Sequence, residues 1–195
     1  ALVTLIRIQI DWPQQESYSF LLNCLSWSLA LGTIFSLMAI TLAQSRFNTK
    51  RAFLLANIIS LLALVFTFLL LYLFSGSDLA LAERGYEVLS PLAIARVSVA
   101  MLICYLFFII FSGQPGTAAE KAAGIFSIDF AQALFMHQKA FFIALIYGVV
   151  MIIGTSGVGG AIQALLYPEM SFKVYQFIAT IAGFIAFTMF VAYFP

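Results

Sequence analysis

The chain has 195 residues, of which 64% are hydrophobic and 9% charged. Average soluble domains carry about 45–50% apolar and about 25% charged residues. So few charges cannot cover a soluble surface of this size, which excludes a soluble enzyme, a disordered chain and a nucleic-acid binder. Nine Lys plus Arg against eight Asp plus Glu leave a net charge of +1, so no basic stripe exists for phosphate backbones. The solvent expected for most of this chain is lipid.

In chain order, the N-terminal segment 1–16 reads as extramembrane. Within it Ile6, Ile8, Ile10 and Trp12 alternate with Arg7, Gln9 and Asp11. That period of two predicts a strand that pairs outside this sequence, or lies at the interface with Trp12 as an anchor. The opening Ala1, in place of a start methionine, reads as processing or as a piece of something longer.

Residues 17–195 read as a transmembrane domain. Crossing about 30 Å of hydrocarbon takes about 20 apolar residues. Five runs qualify: 17–43, 52–74, 91–111, 140–166 and 172–194. They are apolar throughout, without the alternation of a barrel strand, and helices satisfy their own backbone groups in lipid. The expected fold is therefore an all-α, polytopic membrane helix bundle. Between the third and fourth runs, segment 117–138 carries Ile125, Ile128, Ala131 and Phe135 at helical spacing. It reads as an interfacial amphipathic helix, or as an inward extension of the fourth span. His137, the only histidine, reads as a solvated interfacial residue.

Arg46, Lys50, Arg51, Lys121 and Lys139 fall on one predicted side, and Arg7, Arg84 and Lys173 on the other. By the positive-inside rule the N-terminus is outside and the C-terminus inside.

Four features bear on function. Arg96 lies about 7–8 Å along the helix from Pro91, inside the third span. An ionisable residue at that depth is a functional candidate by default. It either snorkels or finds oxygens to bind, Glu87 and Glu169 being candidates on the same predicted side. Gly154, Gly157, Gly159 and Gly160 form a glycine run in the fourth span. Each weakens a helix by about 1 kcal/mol against Ala. The run serves close helix packing, or it unwinds to bind a substrate or ion next to Arg96.

Small or polar seams at helical spacing come third: Ser19, Asn23, Ser26, Ala30 and Thr33 in the first span, Ala93, Arg96/Val97, Ala100 and Cys104 in the third, and Ala179, Ala182, Gly183 and Ala186 in the fifth. Asn23 and Asn57 are candidates for interhelical hydrogen bonds. Span two, from Ile58 onward, is apolar all round and is expected to face lipid or another subunit.

The fourth feature is negative. The acids lie outside the spans, and no Ser/His/Asp, Cys/His or metal-ligand spacing is legible, so no catalytic residue, metal or cofactor is expected. Cys24 and Cys104 read as small core hydrophobes. The function expected is that of a non-catalytic integral membrane subunit or domain of a larger complex, its partners the bilayer and other membrane subunits. The alternative is a small-solute or ion transporter or channel module centred on Arg96 and the glycine run.

Overall fold

The computed structural model describes residues 1–11, 14–47, 49–76, 89–113, 130–165, 167 and 171–192, with the side chains of 15–17 excepted. Among these residues the chain is helical: α1 (Leu2–Gln9), α2 (Gln14–Arg46), α3 (Lys50–Phe74), α4 (Pro91–Ser112), α5 (Phe130–Leu165) and α6 (Phe172–Ala192). The last five are long and apolar enough to cross a membrane. They correspond to the five predicted spans.

Two expectations are corrected. The alternation over 5–12 does not make a strand, because residues 2–9 form α1, which buries Val3 and Ile8. A helix satisfies its own backbone groups, whereas a lone strand beside lipid would leave them open. Trp12, the expected anchor, lies outside the described residues, as do 117–129 of the amphipathic segment. The rest of that segment, 130–138, is the start of α5, in keeping with the second reading given for it, an extension of the fourth span. At 36 residues α5 is about 54 Å long by helix rise, well beyond the hydrocarbon thickness. His137, expected to be solvated, is 1% exposed.

The helices fall into two compact units, Trp12–Leu134 and a second made of Ala1–Asp11 with Phe135–Pro195. In the first, α3 and α4 both pack on α2. The contact stripe of α2 is small: Cys24, Ser28 and Gly32 are buried at four-residue spacing. The hydroxyls that share these faces turn back onto their own helices. Ser28 Oγ donates to the Cys24 carbonyl at 2.8 Å and Ser60 Oγ to the Ala56 carbonyl at 2.7 Å. Each residue therefore packs as a small side chain. Around Cys24 a core of Leu71, Leu89, Ala93 and Val97 closes, with Phe20, Trp27 and Phe68 against it.

The seam expected on α2 is turned from the real one. Ser19 is buried and Asn23 partly so, but Ser26, Ala30 and Thr33 are exposed. On α4 the seam holds at its centre: Ala93 and Val97 are buried, with Ala100 and Cys104 partly covered.

In the second unit α1 packs on α6. Asp11 and Lys173 form an ion pair between exposed side chains at the start of α6. Along α5 and α6, Gly148 faces Ala186, Phe141 meets Phe190 edge-on at 6.4 Å, and Ala182 is buried. Of the seam expected on α6, Ala179 and Gly183 are exposed.

At Gly32 an added Cβ would stand 2.9 Å from Leu64 Cδ1 and 3.2 Å from Leu64 Cβ. Overpacking of this kind costs about 1–3 kcal/mol. Gly32→Leu should therefore lower the melting temperature in detergent, and adding Leu64→Ala should restore part of the loss. A Gly32→Leu protein that melts like the wild type would show that α2 and α3 do not meet there.

Candidate functional site

The end of α3 and the start of α4 are tied by polar contacts. Ser75 caps α3 with its N–H on the Leu71 carbonyl at 3.1 Å. Gly76 follows at φ +64°, a left-handed conformation that glycine adopts without strain. Ser90 then closes the connection. Its N–H donates to the Gly76 carbonyl at 3.2 Å, and its hydroxyl donates to the Ser75 carbonyl. The same hydroxyl oxygen accepts the Ala93 N–H at 3.3 Å and so caps α4, with Pro91 in the first helical turn, where a missing N–H costs nothing. Leu89, 1% exposed, plugs the space beneath.

This clasp sets the register of α4 against α3 and places Arg96 beside the end of α3. Arg96 is exposed, at the edge of the packed face that Ala93 and Val97 define. It lines a cleft of about 540 Å³ between α3 and α4. Leu31 of α2, Phe66, Leu70 and Phe74 of α3, and Ala100 of α4 supply its walls. Thr67 also borders it, but its hydroxyl is spent on the Ala63 carbonyl at 2.7 Å. No hydrogen bond or ion pair to Arg96 occurs among the described residues. Its two expected acidic partners, Glu87 and Glu169, lie outside them.

Gly154, Gly157, Gly159 and Gly160 are all helical, within the unbroken run of α5. The expectation of an unwound binding segment is therefore not met. The run has two kinds of glycine. An added Cβ at Gly159 would stand 3.2 Å from Tyr175 Cε1, so this glycine admits the tyrosine ring of α6. Tyr175 in turn donates its hydroxyl to Gln163 Oε1 at 2.8 Å, one turn along α5. Gly160 is close to the same hydroxyl, whereas at Gly154 and Gly157 nothing lies within 4 Å of an added Cβ. Arg96 belongs to the first compact unit and the glycine run to the second.

Asn57 does not reach another helix: its Nδ2 donates to the Phe53 carbonyl of its own turn at 2.9 Å. Asn23 is half-buried on α2. No group of three or more metal-ligating side chains occurs among the described residues. The sequence offered no direct pointer to Gly32, Gly148 or the Ser75–Ser90 clasp. Only the breaker cluster after Phe74 and the Ser-Pro pair at 90–91 marked where the clasp stands.

The class these features define is a multi-pass integral membrane protein with two largely apolar clefts that each carry a cation, Arg96 between α3 and α4 and Lys50 at the start of α3. Comparison with known proteins finds no matching family, curated protein or solved structure.

Loss of an N-cap hydroxyl costs about 1 kcal/mol, and Ser90 contributes the interhelical bond as well. Ser90→Ala should lower the thermal midpoint of the detergent-solubilised protein by several degrees, and Ser90→Thr should lose less. Equal midpoints for all three proteins would remove the clasp from the account.

Proposed function

We propose that the chain is a non-catalytic transmembrane subunit or domain of a larger membrane complex, in which it presents helix faces to neighbouring membrane chains. The observation that carries this reading is the open glycine face of α5. Gly154 and Gly157 each weaken their helix by about 1 kcal/mol, and neither meets another side chain or backbone. A small residue on a membrane helix serves the close approach of another backbone. Among the described residues Gly159 is used in that way, while nothing stands within 4 Å of an added Cβ at Gly154 or Gly157.

The exposure of the spans supports the same reading. In each described span at most 22% of the apolar stretch is buried. Helix α3 exposes an apolar face, on which Leu62, Phe66 and Leu73 are 63%, 63% and 65% exposed. The polar side chains that are buried do not converge as a permeation path requires. Ser28 and Ser60 bond within their own helices, and the unbroken course of α5 removes the free carbonyls that a broken-helix ion site would use.

The test is site-specific photo-crosslinking in native membranes at Ile153 and Val158, which flank the open glycines, and at Leu62. The reading expects protein adducts of defined mass at 153 and 158. It also expects Gly154→Leu with Gly157→Leu to abolish those adducts, because the added side chains fill the approach, without lowering the melting temperature of the isolated chain. Lipid adducts alone, together with solute binding or conductance by the purified chain, would overturn it.

The orientation belongs to the same proposal: N-terminus outside, C-terminus inside. Lys and Arg at 46, 50, 51, 121 and 139 outnumber those at 7, 84 and 173. The Asp11–Lys173 pair supports one element of it, since it joins the N-terminal segment to the start of α6. With two spans between the N-terminus and the third, and two more before α6, both should stand on one side. Cysteines at 11 and 171 should label together from outside, and a cysteine at 47 only after permeabilisation. Labelling of 47 and 171 from one side would invert a span.

A further inference from the structure

We propose that the cleft between α3 and α4 is a binding site for one anionic glycerophospholipid, with the phosphate on Arg96 and an acyl chain along the apolar walls. A guanidinium is a permanent cation with five donors and no acceptor. Arg96 carries that charge into a cleft whose other walls are Leu31, Phe66, Leu70, Phe74, Val97 and Ala100. No carboxylate among the described residues neutralises it. A guanidinium on such a cleft suits an anion, and the walls suit hydrocarbon. A free anion would meet Arg96 but gain nothing from the apolar walls, which would take water from it. A phospholipid meets both requirements in one molecule.

Depth agrees with this assignment. Arg96 is about 7–8 Å along the helix from Pro91, so its long side chain reaches headgroup level while the cleft below is at acyl-chain level. The volume, about 540 Å³, lies within the range of ordinary ligand pockets. The Ser75–Ser90 clasp holds the two walls together at the headgroup end, so the cleft is a built feature of the α3–α4 connection. Arg46, Lys50 and Arg51 also attract anionic lipid, but they stand around the opposite end of α3, a helix about 36 Å long by helix rise.

The test is native mass spectrometry of the protein in mild detergent, with added phosphatidylglycerol or phosphatidylcholine of identical acyl chains. Both lipids offer Arg96 a phosphate, but the choline cation of phosphatidylcholine offsets it, so only phosphatidylglycerol brings net negative charge, a difference expected at about tenfold in affinity. The wild type should retain one phosphatidylglycerol about tenfold more tightly than phosphatidylcholine. Arg96→Gln should bind both lipids equally, at or below the wild-type phosphatidylcholine level. Arg96→Lys should keep most of the preference, because a point charge still holds a phosphate. A triple Arg46→Gln, Lys50→Gln, Arg51→Gln variant should keep the one-lipid preference intact.

Glycerophosphoglycerol without acyl chains, and inorganic phosphate at millimolar concentration, should not compete. If Arg96→Gln fails to fold, the wild-type comparison of diacyl lipid with chain-free headgroup and the Arg96→Lys protein still decide the matter. The proposal is overturned by a wild type with no preference, by a preference that survives Arg96→Gln, by its loss in the triple variant, or by competition from phosphate alone.

Discussion

In hydrocarbon, an apolar side chain gains almost nothing by exchanging lipid for protein, so helices stay together only where their backbones come close or polar groups meet. That constraint explains why the most buried positions of this chain are not its largest residues. Cys24 and Ser28 are fully covered, while Leu62, Leu73 and Phe74 stand in the open. The stripe Cys24–Ser28–Gly32 lets α3 and α4 approach α2, and the hydroxyl of Ser28 is satisfied within its own helix, so burial leaves no polar debt. Large residues then fill the margins: Phe20, Phe68 and Tyr72 cluster with ring centroids about 6 Å apart at one end of the α2–α3 contact.

The second organising contact is polar. Ser90 serves two helices with one hydroxyl, as donor to the last turn of α3 and as cap for the first turn of α4. Gly76 makes the turn geometrically accessible, and Leu89 seals it. Arg96 is placed by this arrangement. A small shift of α4 along α3 would carry the guanidinium away from the mouth of the cleft. The cleft and its cation thus lie beside the hydrogen-bond set of Ser75, Gly76 and Ser90 that joins α3 to α4.

How much of this was legible in the sequence depended on the kind of signal. Continuous apolarity located all five spans to within a few residues, except at the start of α5. There His137, Gln138 and Lys139 interrupted the apolar run, but a helix needs no continuity of hydrophobicity, only of backbone bonding, and α5 continues through them. Segment 2–9 was misread because four alternating residues are too few to fix a period, and because α1 is set by packing on α6, which no local pattern encodes. The seam of α2 was misphased for a related reason. In a helix with small residues on several sides, composition alone does not say which row meets a neighbour; Ser26, Ala30 and Thr33 were as plausible as Ser28 and Gly32. On α4 fewer small residues compete, and the row Ala93–Val97 was readable.

The glycines carry the argument one step further. Helical glycine is unfavourable wherever it stands, so a run of four in one span asks what compensates it. Gly159 has an answer in Tyr175 and the hydrogen bond of that tyrosine to Gln163. Gly148 has one in Ala186. These contacts make α5 and α6 a hairpin with a defined face, and that face takes up one side of α5 only. Gly154 and Gly157 precede Gly159 by five and two residues, which at 100° per residue sets both of them roughly 140–160° around the helix from it. A single neighbour on α6 therefore cannot use all three. The geometry of the helix itself separates the run into a side engaged by α6 and a side that nothing among the described residues approaches within 4 Å.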